Sequence, residues 1–268
     1  MGKIRIGATS YISSRPLVYG LTCHPDPDVE LVYDYPEQLA ARLERGDLDA
    51  ALVPSIEYLR GAGKHRLDGP ALVATGRTDS LVLLSPKDPV DIQRIAVDER
   101  NRTPIAALRI LLDKLYAILP DICVHKATPH EWREHFDAVL LTGDVGLEHR
   151  CAGADSQDTC LDLGELWDTV FSVPLVVSVW AFNDPHLARR LSSLLTSSRD
   201  HALENISMLS SGLAKTSSFD SELLHRYFTS GWAYDLHGEG EHGLKVLEEQ
   251  ALIYQLIHRP RLDAMPVG

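Results

Sequence analysis

Residues 29–60 read VELVYDYPEQLAARLERGDLDAALVPSIEYLR, and two periodicities alternate within them. Residues 29–35 are β-branched and aromatic, which predicts a strand. Pro36 then opens PEQLAARLERG, where Leu39, Ala40 and Leu43 share one helical face and Gly46 supplies the stop. LDAALVP (48–54) is a second apolar strand, and a further helix begins at Ser55. Strands separated by helices of this length predict parallel pairing with helices over the sheet.

The same alternation continues in both directions. Upstream, KIRIGAT (3–9) reads as a strand and Arg15-Pro16 opens a helix. Downstream, PALVATG (70–76) and SLVLLSP (80–86) are apolar runs. A second unit follows: a strand at 94–98, then a helix from Thr103-Pro104 to about Tyr116 with Ala107, Leu108, Leu111, Leu112 and Leu115 on its apolar side. DICVHKA is a strand, HEWREHF a short helix, and DAVLLTGD a strand ending in a Gly-Asp turn. VVSVWAF (176–182) is a strand, and three helices are expected near 185–211, 219–229 and 239–257. Two α/β units joined by extended segments near 84–90 and 174–180 predict two lobes. Residues 1–86 and 178–268 would form lobe I, and 87–177 an inserted lobe II. This α/β organisation is similar to the type II periplasmic-binding-protein fold: mixed, mostly parallel sheets and a ligand cleft at the hinge.

In open α/β sheets the ligand lies beyond the carboxyl ends of the strands, where helix N-termini point. Three such junctions carry hydroxyl residues next to proline: Ser13-Ser14-Arg15-Pro16, Pro54-Ser55 and Arg102-Thr103-Pro104. Each is a good helix start on its own account. Together, their free N–H groups and helix dipoles suit a carboxylate. Arg15, Arg77 and Arg102 lie beside these turns and can add charge-assisted hydrogen bonds. Ser80 either faces the cleft or satisfies its turn. Thr142-Gly143-Asp144 ends an apolar strand, so Asp144 is the best-placed carboxylate of lobe II, or else the cap of the next helix.

The chain has 268 residues and a formal net charge of −12, which argues against sequence-independent nucleic-acid binding. Its apolar runs fall far short of the about 20 residues of a membrane helix. MGKIRIGATSY has no signal-length apolar stretch, so a cytoplasmic protein is expected. Cys23, Cys123, Cys151 and Cys160 form no ligand motif and read as reduced, mostly buried thiols. A Cys151–Cys160 disulfide is the alternative, disfavoured in the cytoplasm. The twelve histidines are scattered, with His130 and His135 facing different sides of their helix. No metal site is expected, and no P-loop, Gly-x-Ser-x-Gly or Gly-x-Gly-x-x-Gly appears.

IGATSYISSRPLVYGL (6–21) resembles the opening of the chorismate dehydratase family of menaquinone biosynthesis. That opening runs as a small residue, Ser-Tyr-Leu-Asn, a small residue, a basic residue and Pro-Leu. GDLDAALVPSIEYLR, TDSLVLLS, the NRT before the long helix, TGDVGLE, LDLGELWDTVFSVPLVVSVWA and WAYDLHGEGEHGLKVLEEQA resemble later blocks of that family in order. The resemblance implies the two-lobed fold and a cofactor-free dehydration of chorismate, in the futalosine route. It further implies Ser13, Ser80 and Asp144 as catalytic residues, and Ser14, Arg15, Ser55, Thr103 and Gly143 as substrate-binding ones. Three departures stand out: Ser13 where the family has Asn, Pro104 where it has Ser, and Phe171-Ser172-Val173-Pro174 where it has a Thr-Gly-Leu-Pro type turn. A non-catalytic or altered-specificity binding protein for a small carboxylate is the alternative. The related 1,4-dihydroxy-6-naphthoate synthases open on Cys-Pro-Asn, absent here.

Overall fold

The computed structural model describes residues 2–125, 131–152 and 158–262. His130 and the end of the expected strand at 121–127 lie outside the described residues. The strands are β1 (Ile4–Ala8), β2 (Val29–Tyr33), β3 (Ala50–Pro54), β4 (His65–Ala74), β5 (Leu81–Ser85), β6 (Arg94–Val97), β7 (Asp121–Val124), β8 (Ala138–Thr142), β9 (Thr159–Asp162), β10 (Leu175–Phe182) and β11 (Trp232–Asp235). The helices are α1 (Arg15–Cys23), α2 (Pro36–Glu44), α3 (Ser55–Arg60), α4 (Arg102–Tyr116), α5 (Asp144–Cys151), α6 (Leu163–Phe171), α7 (Ala188–Glu204), α8 (Ile206–Ala214), α9 (Ser221–Ser230) and α10 (Glu239–Ile253).

Two sheets organise the molecule, with strand orders β11-β4-β10-β3-β1-β2 and β7-β6-β8-β5-β9. Parallel pairing joins β1 to β2 and β3 in the first sheet, and β6 to β7 and β8 in the second. Antiparallel pairing is confined to β10 with β3 and β4, β11 with β4, and β5 with β8 and β9. Strands β5 and β10, which receive the chain as it passes between lobes, therefore run against their neighbours.

The first crossing occupies residues 75–80, ahead of the expected 84–90. Leu81–Ser85 pairs with β8 and β9 and belongs to the second sheet. The reason is local: Gly76 and Asp79 both adopt positive φ, so the chain turns there. The return crossing lies between α6 and β10, and residues 175–177 already belong to the first sheet. Lobe II therefore starts before residue 87 and ends before 177. Both crossings are closely packed. A Cβ on Gly231 would meet the carbonyl oxygen of Arg77 at 2.2 Å, and one on Gly243 that of Pro174 at 2.2 Å.

Both faces of the second sheet are covered. Val82, Leu84, Ala96, Val139 and Leu141 pack around Trp132, while Leu81, Leu83, Ile95, Val97 and Leu140 join the main core. This is the two-residue alternation of strands buried on both sides. Three differences from expectation in the elements have local causes, and the cysteines, free as expected, differ in not being buried. The helix expected over 185–211 breaks at Asn205 into α7 and α8, because Asn205 leaves helical dihedrals (φ −121°, ψ 30°). Trp232–Asp235 is a strand, too short for its alternation to stand out. Leu115 is exposed at the end of α4, where the apolar stripe rotates out of the core. No cysteine is buried, and all four are free thiols.

Candidate functional site

A narrow cavity lies where the two lobes meet. Its wall includes Thr9, Tyr11, Ser13, Pro54, Ser80, Arg102, Thr103, Gly143, Ser178 and Trp232. Its volume is only about 40 Å³, so the two lobes are held close. The starts of α1, α3, α4 and α5 converge on it: Ser13, Pro54, Arg102 to Pro104, and Gly143 all line the wall. None of these four helices has a side-chain N-cap, whereas α6 and α9 are capped by Asp162 and Asp220. Helices α1, α4 and α5 thus leave N–H groups and the positive ends of their dipoles at the cavity wall, while the Ile56 N–H of α3 is taken from across the cleft.

Of the eight residues singled out from sequence, Ser13, Ser80, Thr103 and Gly143 line this wall. Ser14, Arg15, Ser55 and Asp144 stand one layer behind. The Ser14 hydroxyl shares a 2.5 Å hydrogen bond with Thr9 Oγ1 and donates to the Tyr11 carbonyl at 2.9 Å, which holds the turn opening α1. Arg15 places its guanidinium 5.2 Å from the centre of the Tyr33 ring, and its Nε is buried with no hydrogen-bond partner. Ser55 Oγ is likewise buried and unpartnered. Asp144 Oδ1 accepts the backbone N–H of Ile12 at 2.9 Å, across the cleft. Arg77 turns away and donates to Asp79 at 2.8 Å.

Thr103 acts across the cleft rather than on its own helix: its Oγ1 accepts the N–H of Ile56, in the first turn of α3, at 3.2 Å. Gly143 adopts φ +64°, and a Cβ there would sit 3.2 Å from the Tyr11 ring. Glycine at this point therefore serves both the turn and the close approach of the lobes.

Two residues that sequence reading missed complete the site: Trp232 lines the wall, and Tyr227 backs it. The Tyr227 hydroxyl hydrogen-bonds Ser80 Oγ at 2.7 Å, and its ring lies edge-on to Trp232 at 6.1 Å. Burial pushes the Tyr227 phenol well up; Ser80 and Ser13 pull it back only in part. It therefore remains a protonated donor or acceptor at neutral pH. Burial also pushes the Asp144 carboxyl up, against the pull of the Ile12 N–H and of Arg15, with Glu148 adding to the rise. Tyr227 carries no local motif and reaches the site on α9, while the pairing of β11 with β4 places Trp232, whose block was read only for its family resemblance.

Arg102 lines the cavity with its Nε buried and unpartnered, while its Nη2 reaches Glu37 at 3.5 Å. Unpartnered buried donors are costly, and a bound carboxylate is the group that would satisfy them. Among the described residues no cluster of three His, Cys, Asp or Glu side chains suits a metal ion, and no helix is long and apolar enough to cross a membrane.

The chain is similar to several solved structures over nearly its whole length. Protein AF1704 from Archaeoglobus fulgidus superposes with a TM-score of 0.75 at 21% identity, covering 95% of this chain and 98% of its own. The alkanesulfonate-binding protein SsuA from Xanthomonas axonopodis pv. citri, bound to MOPS, gives a TM-score of 0.65 at 15% identity, covering 96% and 93%. The CA3427 gene product of Candida albicans, described as having the generic periplasmic binding protein fold, gives 0.60 at 10%, covering 97% and 92%. These likenesses show the fold: mixed α/β, of the periplasmic-binding-protein kind. A family model for menaquinone biosynthesis matches residues 4–252, so the chain belongs to the menaquinone biosynthesis family.

Proposed function

We propose that this protein is a chorismate dehydratase, a hydro-lyase that converts chorismate to 3-[(1-carboxyvinyl)oxy]benzoate and water. The observation that carries the reading is the cavity wall itself: the starts of α1, α4 and α5 with no side-chain cap, the hydroxyls of Ser13, Ser80 and Thr103, and Arg102, with Arg15 one layer behind. Chorismate bears two carboxylates and a ring hydroxyl, and such a wall suits all three. Family membership supports a role in menaquinone biosynthesis.

The reaction removes the ring hydroxyl and the hydrogen on the neighbouring carbon, and the ring becomes aromatic. Aromatisation favours the product strongly, so the protein needs to orient the substrate and let one proton pass from the ring carbon to the departing oxygen. In this proposal the substrate's own enolpyruvyl carboxylate takes the ring proton and hands it to the departing hydroxyl group, which leaves as water. Ser13 and Ser80, joined through the Tyr227 hydroxyl, hydrogen-bond the departing hydroxyl group. Ser14, Arg15, Ser55, Thr103 and Gly143 shape and hold the carboxylate pockets. Asp144 fixes the 12–14 turn through the Ile12 N–H.

Incubating the protein with chorismate and separating the products by chromatography tests the reading. The expected result is the aromatic enol ether, absent from a protein-free control. The second reading is a binding protein for a small carboxylate, favoured by Ser13 at the family's Asn position and by the likeness to SsuA. Calorimetric binding of chorismate without turnover would select it.

A further inference from the structure

A second cavity, of about 430 Å³, opens on the other side of Tyr227. Three separate parts of the chain build it: Arg77, Thr78 and Asp79 from the first crossing, Leu147, Arg150 and Cys151 from α5, and Leu223, Arg226, Tyr227 and Ser230 from α9. Its volume lies in the range of small-molecule pockets. On a chain of net charge −12, this wall carries three guanidiniums and one carboxylate.

That one carboxylate serves two of the arginines. Asp79 accepts from Arg77 Nε at 2.8 Å and lies 3.4 Å from Arg150 Nε. The Arg226 side chain is exposed and makes no ion pair or hydrogen bond among the described residues, its carbonyl alone accepting from Thr229 and Ser230. Solvated arginines on an acidic surface need no ligand. Here, however, three are gathered into one concave space, with fewer acids than bases. Guanidinium forks recognise phosphate and carboxylate oxygens in pairs.

We propose that this cavity binds a small organic polyanion, carrying a phosphate group or at least two carboxylates, held between Arg150 of lobe II and Arg226 of lobe I. Because the two arginines stand on different lobes, the bound anion ties the lobes together. Tyr227 connects it to the cleft: it lines this cavity, and its hydroxyl bonds Ser80 in the cleft wall.

Calorimetry with pyrophosphate and with citrate tests this in the absence of any cleft substrate, and Cys151 and the two arginines, which line this cavity and not the cleft, separate the outcome from the dehydratase reading. Cys151 supplies a second readout, being exposed in the wall, while Cys23 is an exposed control outside it. At least one probe should bind with a Kd below roughly 1 mM. It should slow iodoacetamide alkylation of Cys151, read by peptide mass spectrometry, and leave Cys23 unchanged. Arg226→Gln and Arg150→Gln should each weaken binding by about tenfold or more, the loss of one charged hydrogen-bonding partner. Binding of pyrophosphate alone assigns a phosphate ligand; binding of citrate alone assigns a polycarboxylate. Arg226→Gln, at an exposed and unpaired position, should keep the wild-type melting temperature. Neither probe binding overturns the proposal, as does wild-type affinity in both variants. Loss in only one variant overturns the bridging of the lobes.

Discussion

The hydrogen bond from the Ile12 N–H to Asp144 Oδ1 joins the turn before α1 to the first residue of α5. Asparagine keeps an acceptor oxygen in that position and removes the charge. If the substrate supplies its own base, Asp144→Asn should bind chorismate about as well and lose only part of kcat. An essential protein base would cost toward the upper end of ~10²–10⁴-fold. Steady-state kinetics decide between them, and a total loss returns Asp144 to the role of base. Ser13→Asn restores the family's residue in the cavity wall and should raise kcat. No gain would remove Ser13 from the set that tunes the reaction. Asp137 illustrates a different role. Burial pushes its carboxyl up, but Lys87 Nζ at 2.6 Å and the N–H groups of Gln93 and Arg94, both at 2.9 Å, outweigh this and hold it below its ordinary 3.8. A lowered folded-state value stabilises the protein above the unfolded one and is lost as pH falls through the folded one. Asp137→Asn should therefore cost about 1 kcal/mol at neutral pH, discounted for the exposed Lys87. The gap in melting temperature from wild type should stay level from neutral pH to about 5 and close below about 4. A gap that persists unchanged in acid rejects this assignment.

Elements that hold the lobes together were harder to read than those that build them. The strands and helices of residues 3–116 follow from periodicity and proline placement, because their apolar faces meet a sheet directly. The helix starts at 13–16, 54–55 and 102–104 were legible for the same reason. Strand β9 and the cap of α6 were not, since their partners are distant in sequence. Asp162 accepts the N–H groups of Thr78 and Asp79 at 3.0 and 2.7 Å, and those of Gly164 and Glu165 at 2.9 and 3.3 Å. One carboxylate thus starts α6 and fastens the first crossing. Asp162→Ala removes a cap and strands buried donors, so urea unfolding should show a loss of about 3 kcal/mol. A loss under about 1 kcal/mol, that of a cap alone, would mean the crossing is held by other contacts. At the return crossing, Ser172 ends α6 in the left-handed region at φ +54°, where the resembled family carries glycine. Ser172→Gly should stabilise the protein by about 1 kcal/mol by relieving that conformation. Destabilisation would show that the serine side chain makes up for the backbone cost.

For the whole molecule, the narrowness of the cleft sets the order of events. A cavity of about 40 Å³ is too small for a ligand of chorismate's size, so on the dehydratase reading proposed above the lobes part before the substrate enters. Contacts that hold them shut are on both sides of the site: Ile12 with Asp144, Ile56 with Thr103, and Tyr11 against Gly143. A protein that is mostly closed and binds only when open obeys a gated scheme, in which ligand captures a minor state. The Trp232 indole in the wall, its Nε1 unpartnered, is a built-in reporter. Mixing the protein with rising chorismate should give a fluorescence change whose rate levels off at the opening rate, on the μs–ms scale of lobe motions. Trp232→Phe should abolish the signal without abolishing binding. Asp144→Ala removes the acceptor of one closing contact and should raise the plateau. A rate that climbs linearly with chorismate to the highest concentrations would mean that the open form predominates in solution, and that the closing contacts form only around the ligand.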